Sequence, residues 1–303
     1  MTVLLDVVLV AGLGAQSEGS VLASLPGSTR SAGLGGAGAA LIGDAGAVFA
    51  NPAAIASIRR VAIEGSFESY VAGTSYSTAA VAVRAGRFAW GFGAQAFDYG
   101  SEPVVVPDSS TGGRRGTPTG GSFTSTEVMG LSALVYRRGL IAAGVAVKYA
   151  RQQIGGWSAD AWAGDAGLAI AVFDILALGV SVQNFGGDFG GLDGARLLRR
   201  TRAGFTMNYV DPEGTYRLLT TLEGQWPTGD PARLATGVEG GVVRGGMGLV
   251  GRLGYVTRSP TSAASRWTVG GGVELRRLHL DYAYQGLTVL GGGTHRFGIR
   301  WAP

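Results

Sequence analysis

The residue run most suggestive of chemistry lies near the N-terminus, where Gly33-Leu34-Gly35-Gly36-Ala37-Gly38 is followed by Asp44. Its spacing matches the G-x-G-x-x-G signature, in which backbone amides hold the pyrophosphate of a dinucleotide. Such a site also needs an apolar strand directly before the first glycine and an acidic residue roughly twenty positions later. The sequence Pro26-Gly27-Ser28-Thr29-Arg30 precedes the run instead, so no cofactor is predicted here.

The two histidines, His279 and His295, are the next candidates for chemistry. They fall on different predicted strands, and the chain contains no Cys, so the usual sets of zinc ligands are missing. We expect each imidazole to face solvent or the lumen of a barrel. No catalytic triad or pair of catalytic carboxylates is recognisable, and the sequence predicts neither an enzyme nor a bound cofactor or metal.

Most charged side chains on the predicted strands alternate with large apolar ones. In a membrane barrel this alternation sends apolar groups toward lipid and charged groups into the lumen, where they tune a pore or hold a plug. The charges that we expect in the lumen are Arg217, Glu223, Glu239, Arg252, Glu274, Asp281, Arg296 and Arg300. Arg202 and Arg276 are predicted as further partners of the acidic groups.

The composition indicates an apolar environment around the protein. Only 15% of the 303 residues are charged and 54 are Gly, against about 25% charged and about 7% Gly in typical proteins. A surface exposed to water would therefore be short of charge, whereas 46% apolar residues are too many for a disordered chain. The net charge of +4 is spread over isolated arginines, so nucleic acid is not a predicted partner.

From residue 60 onward, large apolar side chains alternate with small or polar ones in segments of about ten residues, the length of a tilted membrane strand. The segments lie near 60–70, 74–84, 87–98, 123–136, 140–151, 160–172, 175–184, 198–210, 214–226, 232–243, 246–257, 265–276, 277–286 and 293–302. A soluble sheet would show the same alternation. Here, however, tight connections alternate with longer polar ones, of which Tyr99–Ser122 is the longest. This pattern predicts an all-β, up-and-down antiparallel barrel of about 14 strands that crosses a membrane.

The stretch 166–182 has two interpretations. It is apolar enough for a membrane helix, since about 20 such residues can cross a bilayer, but it also fits two strands joined by a turn at Phe173-Asp174. Small or polar residues between the apolar ones are typical of a side that faces a lumen, so we predict the hairpin. Tryptophans that face outward would then form girdles at the membrane interfaces: Trp90, Trp162, Trp226, Trp267 and Trp301.

Residues 27–58 combine a glycine-rich start, the pair Asp44-Ala45 and the motif Asn51-Pro52-Ala53. This combination resembles the entry segment of the PorV/PorQ and FadL-like outer-membrane barrels. The resemblance implies fourteen strands and an N-terminal segment that enters the lumen as a plug or hatch. The plug residues that it implies are Gly33, Gly35, Gly36, Asp44, Asn51, Pro52 and Ala53. Asn51 can also cap a short helix with Pro52 in its first turn, and a cap without any gating role is the alternative.

The predicted organisation has three parts. Residues 1–15 have the apolar core and small-residue end of a signal peptide, although Asp6 interrupts the core. Residues 16–59 are predicted to form the plug or hatch, and residues 60–303 the transmembrane barrel. The expected location is the bacterial outer membrane, in contact with its lipid.

Two functions within the membrane, and one outside it, follow from the resemblance and the composition. The first is a PorV/PorQ-type protein that assists protein export or surface attachment, with secreted proteins or secretion-system components as partners. The second is a FadL-like passive channel for small hydrophobic molecules, and the third is a soluble secreted β-protein. The modest chain length and the polar character of Tyr99–Ser122 favour the first over the second.

Overall fold

The fold is a closed barrel in which every strand is antiparallel to its neighbours. The computed structural model describes residues 20–107, 110, 116–172, 175–190, 196–258, 262–287 and 292–302. Its 14 strands are β1 (Val61–Ser69), β2 (Ser75–Ala85), β3 (Phe88–Pro107), β4 (Gly116–Arg138), β5 (Ile141–Ile154), β6 (Trp157–Val172), β7 (Leu176–Gly186), β8 (Arg200–Val210), β9 (Tyr216–Pro227), β10 (Arg233–Arg244), β11 (Met247–Val256), β12 (Ala264–Leu275), β13 (Leu278–Leu287) and β14 (Gly292–Trp301). β1 pairs with β14, with Phe67 opposite Phe297, so the sheet closes on itself.

The predicted fold class and strand count are confirmed. The hairpin over 166–182 is confirmed as well, because Leu168 on β6 pairs with Val180 on β7. Its predicted turn, Phe173-Asp174, lies outside the described residues. No helix in the described part of the chain is long and apolar enough to cross a membrane.

The prediction of a long polar loop over Tyr99–Ser122 is wrong for most of its length. β3 and β4 continue to pair there, with Val106 opposite Thr117, and register shifts after Asp98 and Pro103 interrupt the ladder. The β-branched run 104–106 favours extended backbone. The pairing of β2 with β3 ends at Asp98. The outer part of the β3–β4 hairpin therefore extends past the end of β2.

The connections give the barrel two different ends. Two-residue turns follow β2, β4, β10 and β12, whereas most connections after odd-numbered strands are longer. The exception is Gly155-Gly156, because β5 and β6 extend into the loop predicted between them. Short turns face the periplasm in barrels of this kind, so we name that end the periplasmic end and the opposite one the external end. β1 begins and β14 ends at the periplasmic end.

The outer surface of the barrel is apolar. Large side chains point outward at alternate positions, for example Val145 at 59% and Leu249 at 67% exposure. The predicted outward tryptophans are all at least 40% exposed: Trp90, Trp162, Trp226, Trp267 and Trp301. His295 also lies on this face, where its Nδ1 is 2.8 Å from the Tyr282 hydroxyl. This surface suits contact with hydrocarbon and not with water.

The inner wall has two chemically different halves. Strands β1–β6 line the lumen largely with small apolar residues such as Ala80, Ala133 and Ala146. Strands β8–β14 line it with buried charged residues such as Arg202, Glu239 and Arg252. A segment that enters this lumen therefore meets an apolar wall on one side and a charged wall on the other.

The turn between β12 and β13 begins with Arg276 at a φ of 59°, whereas Gly86, Gly139 and Gly245 begin the equivalent turns at 61°, 60° and 61°. Arg276 is exposed in this turn, so its prediction as a lumen residue is wrong.

A side chain costs about 1 kcal/mol or more at positive φ. We therefore expect Arg276→Gly to raise the free energy of unfolding by about 1 kcal/mol, measured by urea titration in detergent micelles. The reverse change, Gly139→Arg, should lower it, and equal midpoints for all three proteins would contradict this turn geometry.

Candidate functional site

Residues 20–58, which we name the N-terminal segment, lie inside the barrel. The segment contains helix α1 (Thr29–Gly33) and two 3-10 helices, Ala45–Phe49 and Pro52–Ser57. Ser28 caps α1, since its hydroxyl accepts a hydrogen bond from the Ser31 amide at 3.1 Å. The absence of any long helical run follows from the many Gly residues, which disfavour helix.

Small residues of the wall make room for the backbone of the segment. A Cβ at Gly179 would overlap the Ala39 carbonyl oxygen, and one at Gly254 would overlap the Gly35 amide nitrogen. Further wall glycines at which a Cβ would lie 3.0 Å or less from the segment are Gly91, Gly93, Gly144, Gly167, Gly237 and Gly298. Glycine allows the close approach of two backbones, so the wall is shaped to the segment.

Asn51 joins two parts of the segment to the wall. It is fully buried. Its Oδ1 accepts from the Ala53 amide at 3.0 Å, which caps the 3-10 helix that Pro52 begins. Its Nδ2 donates to the Ala39 carbonyl at 2.7 Å and to the Leu168 carbonyl on β6 at 3.0 Å. Replacing this side chain would leave buried carbonyl groups without donors, which is costly away from water.

Six buried or partly buried charged side chains form a closed ring of alternating sign. We name it the charge ring, and in order around it the members are Arg30, Glu239, Arg252, Asp281, Arg300 and Asp44. The Arg30–Glu239 contact is 2.9 Å, Glu239–Arg252 is 2.7 Å and Arg252–Asp281 is 2.6 Å. Arg30 and Asp44 belong to the N-terminal segment, and the other four to β10, β11, β13 and β14. The ring therefore fastens the segment to the charged wall.

Asp44 is held ionised by its neighbours. Burial alone would raise the pKa of its carboxyl, but the charges of Arg300 and Arg30 outweigh burial and lower the pKa below its usual range. A carboxylate with a lowered pKa stabilises the folded state above its unfolded pKa, and this stabilisation disappears only as the pH falls through the folded pKa. Asp44 is therefore charged, and its contacts with Arg30 and Arg300 remain ion pairs, at any pH that a cell envelope normally meets.

Glu223 on β9 is a second attachment point. Its Oε2 accepts from the backbone amides of Gly38 and Ala39 at 2.7 and 2.6 Å, and its Oε1 accepts from Arg202 Nε at 2.7 Å. Arg296 on β14 is a third, because it contacts Glu68 at 2.7 Å and donates to the Pro26 carbonyl at 2.6 Å. Each of these charged groups bridges wall and segment.

A small cavity lies at the periplasmic end, beside the charge ring. Its volume is about 250 Å³, and Arg217, Glu274, His279 and Trp301 are among its lining residues. Glu274 contacts both Arg217 and His279. Among the described residues, no group of three or more His, Asp or Glu side chains is placed to hold a metal ion.

The external half of the lumen contains a cluster of apolar side chains. We name as the external apolar cluster the buried side chains Leu22, Ala23, Tyr76, Phe97, Met129, Ala150, Ala159, Ala161, Ala163, Phe189, Leu197 and Leu198. The N-terminal segment contributes Ala23, which is 6% exposed, and Leu22, which is 1% exposed. The turn that carries it is held by Glu127, whose carboxylate accepts from the Ser20 hydroxyl and from the Val21 amide.

Next to this cluster the wall is irregular. The register between β6 and β7 shifts between Gly164 and Ala166, and Asn184 has a φ of 61°. Asp165, at the shift, accepts from the Asn184 amide at 2.8 Å and contacts Lys148 at 2.7 Å. Bulges of this kind locally end regular pairing and occur beside functional sites.

The structure brings some of the predicted site residues together and separates others. Asp44, Glu239, Arg252, Asp281 and Arg300 meet in the charge ring. Glu223 and Arg296 lie at separate attachment points, and Arg217 and Glu274 pair with each other at the periplasmic end. Of the predicted plug residues, Gly33 and Gly35 contact Thr268 on β12, Gly36 accepts from Arg202 through its carbonyl, and Pro52 and Ala53 pack against Gly144.

The sequence analysis missed Arg30, Glu127 and Lys148. A signal for Arg30 was present, because it is the only charged residue between Glu18 and Asp44. A lone charge in an apolar, glycine-rich stretch that is to be buried needs a partner of opposite sign. Glu127 and Lys148 fall on the lumen face by the strand alternation, but nothing in the sequence indicates their partners.

Comparison with solved structures identifies the architecture. The chain matches the CymD monoaromatic hydrocarbon channel with a TM-score of 0.64 and 11% identity, over 90% of this chain and 96% of that one. It matches the Ralstonia pickettii toluene transporter TbuX with a TM-score of 0.60 and 14% identity, over 95% and 99% of the two chains. The fold is that of the FadL-like outer-membrane channels.

A Pseudomonas aeruginosa FadL homologue matches the FadL-like fold of this chain too, with a TM-score of 0.56 and 13% identity over 91% and 98% of the two chains. No protein-family model matches the sequence, and no curated protein matches it either. The solved neighbours are transport channels and not enzymes, which is consistent with a non-enzymatic protein. The FadL-like fold and the apolar exterior together place the chain in the bacterial outer membrane.

Proposed function

We propose that the protein is a passive channel that carries small hydrophobic molecules across the outer membrane. The observation that carries this proposal is the external apolar cluster, a group of buried apolar and aromatic side chains at the external end of a membrane barrel. Sites for small apolar ligands are concave and lined by apolar and aromatic side chains. The FadL-like fold, shared with channels for monoaromatic hydrocarbons and toluene, supports the same function.

In this proposal the N-terminal segment is the plug. Leu22 is a fully buried member of the external apolar cluster, and a hydrocarbon of similar size takes its place when the turn at Ser20–Val21 leaves Glu127. The exchange of one apolar group for another changes the buried apolar area little, so it needs no energy source. The irregular wall at Gly164–Ala166 is the side on which such a solute leaves the barrel.

The PorV/PorQ-type export function predicted from the sequence rests on the resemblance of residues 27–58 and on the modest chain length. The polar loop that favoured it is largely an extended hairpin, and the solved neighbours support the channel better. Affinity purification of the protein from its native membrane separates the two functions. Export predicts secreted proteins in the purified fraction, whereas the channel predicts none and a hydrocarbon in the lumen.

Uptake by intact cells tests the proposal directly. Cells that produce the protein should take up a labelled monoaromatic hydrocarbon at low concentration faster than cells without it, and a labelled sugar at the same rate. Phe97→Asn puts an amide without hydrogen-bond partners in the external apolar cluster. The binding of an apolar solute there then becomes less favourable by roughly 1–3 kcal/mol. Hydrocarbon uptake should therefore fall by about tenfold or more.

The matched control for this experiment is Val106→Asn, at a side chain that is 54% exposed on the outer part of the β3–β4 hairpin. It should leave hydrocarbon uptake unchanged. Equal uptake by cells with and without the protein would reject the channel. Equal uptake by the Phe97 variant and the unchanged protein would instead reject the external apolar cluster as the entry site.

A further inference from the structure

The periplasmic end carries a set of arginines that transport through the lumen does not use. They lie just before β1 and in the two-residue turns after β2, β4, β10 and β12, or directly beside those turns. We name as the arginine arc the exposed residues Arg59, Arg60, Arg87, Arg138, Arg244, Arg276 and Arg277. The arc runs from β10 past the closure of the barrel to β5.

The arginine arc is not balanced by acidic residues. Residues 59–60, 86–87, 138–140, 244–246 and 276–277 contain no Asp or Glu. The acidic residues described in turns at this end, Asp211 and Glu213, belong to the connection between β8 and β9, outside the arc. The arc is therefore a continuous band of positive charge over most of the circumference.

The two ends of the barrel differ in how many of their arginines have an acidic partner. At the external end Arg151, Arg196 and Arg233 pair with Asp160, Asp188 and Asp230. No arginine of the arc forms an ion pair with any residue that the structure describes. Seven exposed guanidinium groups without counter-charge give this end of the barrel a positive potential, which favours an anionic partner.

Arg276 supports the same conclusion independently of the charge count. It stands at a φ of 59° where the three comparable turns have glycine, so local backbone preference does not explain an arginine there. A residue kept in an unfavourable backbone conformation points to a requirement for its side chain. At Arg276 the side chain supplies charge to the arc.

The position of the arc on the barrel indicates the partner. The lipid-facing side chains Phe88, Ile141 and Met247, which are 45%, 54% and 63% exposed, directly follow three of the turns. Trp301 on β14, the strand between β13 and β1, also lies at the periplasmic end. The arginines therefore stand at the edge of the apolar surface, at the depth where a bilayer has its lipid phosphates.

We propose that the arginine arc binds the phosphate groups of anionic phospholipids in the periplasmic leaflet of the outer membrane. The planar guanidinium group donates two parallel hydrogen bonds to a phosphate, and its aliphatic stem lies against the apolar surface beside it. Lipid bound around most of the rim fixes the depth and tilt of the barrel. This binding does not depend on the channel function.

Native mass spectrometry of the full-length protein tests the proposal. Purified protein in micelles receives equal amounts of phosphatidylglycerol and phosphatidylcholine, and the retained lipids are counted. We expect phosphatidylglycerol to be retained about tenfold more than phosphatidylcholine. The test variant combines Arg60→Gln, Arg87→Gln, Arg138→Gln, Arg244→Gln and Arg277→Gln, and it should retain the two lipids about equally.

The matched control neutralises the same number of arginines at the external end: Arg151→Gln, Arg196→Gln, Arg199→Gln, Arg233→Gln and Arg266→Gln. It should keep the preference for phosphatidylglycerol. A mobility shift between unboiled and boiled samples on a gel verifies that both variants are folded. Equal retention of the two lipids by the unchanged protein, or an undiminished preference in the arc variant, would overturn the proposal. Arc-dependent binding of soluble polyglutamate without any lipid preference would also overturn it and would indicate an acidic protein partner.

Discussion

Arg252→Met is expected to lower the free energy of unfolding by about 3–5 kcal/mol, because it leaves buried carboxylates without their cation. The Arg252 side chain has no exposed surface and lies between Glu239 at 2.7 Å and Asp281 at 2.6 Å. Methionine fills a similar volume, so the decrease in the free energy of unfolding comes from the missing charge and not from a cavity. The charge ring then carries a net charge of −1, since three acidic members face two arginines.

Urea unfolding of the folded protein, followed by the mobility shift on unboiled gels, measures this loss. The double variant Arg252→Met/Asp281→Asn restores a neutral ring and should recover most of the stability. Arg151→Met is the control, because the Arg151–Asp160 pair is 46% exposed at both side chains and such pairs contribute at most about 1 kcal/mol. If the single variant and the control lost the same small amount, the ring would not fasten the segment.

Gly179→Val is expected to expel the N-terminal segment or to destabilise the barrel, at a cost of about 3 kcal/mol or more. Even a Cβ at this position would overlap the Ala39 carbonyl oxygen, and backbone atoms of Ala40 are close behind it at 2.9 Å. The atoms in contact are backbone atoms of Ala39 and Ala40. They cannot rotate away from β7 as a flexible side chain could. The segment must move away from β7 as a unit.

Trypsin digestion of the membrane-embedded protein reports this movement. Arg30 lies within the lumen in the charge ring, so the unchanged protein should resist cleavage there, while the Gly179 variant should be cut. Gly251→Val is the control, because a Cβ at Gly251 meets no atom within 4 Å on the outer face. Protection of Arg30 in the Gly179 variant, at unchanged stability, would mean that the segment does not pack against β7 as described.

The strands could be predicted from the sequence because the signal is local. Alternation of large apolar and small or polar residues has a period of two, and every strand carries it within its own ten residues. The strand ends were predicted less well where polar residues pair beyond the membrane, as in the outer β3–β4 hairpin and at Gly155-Gly156. Composition alone does not distinguish a loop of polar residues from two paired strands of polar residues.

The candidate site could be predicted only in part because its contacts are distant in sequence. The alternation indicates which side of a strand Glu239 and Arg252 face, but the Arg30–Glu239 contact spans 209 positions. The register of fourteen strands must be known before such a partner can be named. Arg276 shows the opposite difficulty, since its alternation with apolar neighbours suggested the lumen although it lies in a turn.

A reversible disulfide between plug and wall tests most directly whether solutes pass only when the N-terminal segment moves. A Cβ at Gly298 on β14 would lie 2.9 Å from the Thr29 Cβ in α1, so a shift of less than about 1 Å allows the bond. The chain has no native Cys, and Thr29→Cys/Gly298→Cys therefore forms a single defined cross-link. We predict that oxidation slows hydrocarbon uptake by about tenfold or more and that reduction restores it, while uptake by each single-Cys variant does not change between oxidising and reducing conditions. Full uptake through protein shown by mass to be cross-linked, or failure of the two thiols to join, would contradict a plug that gates the barrel.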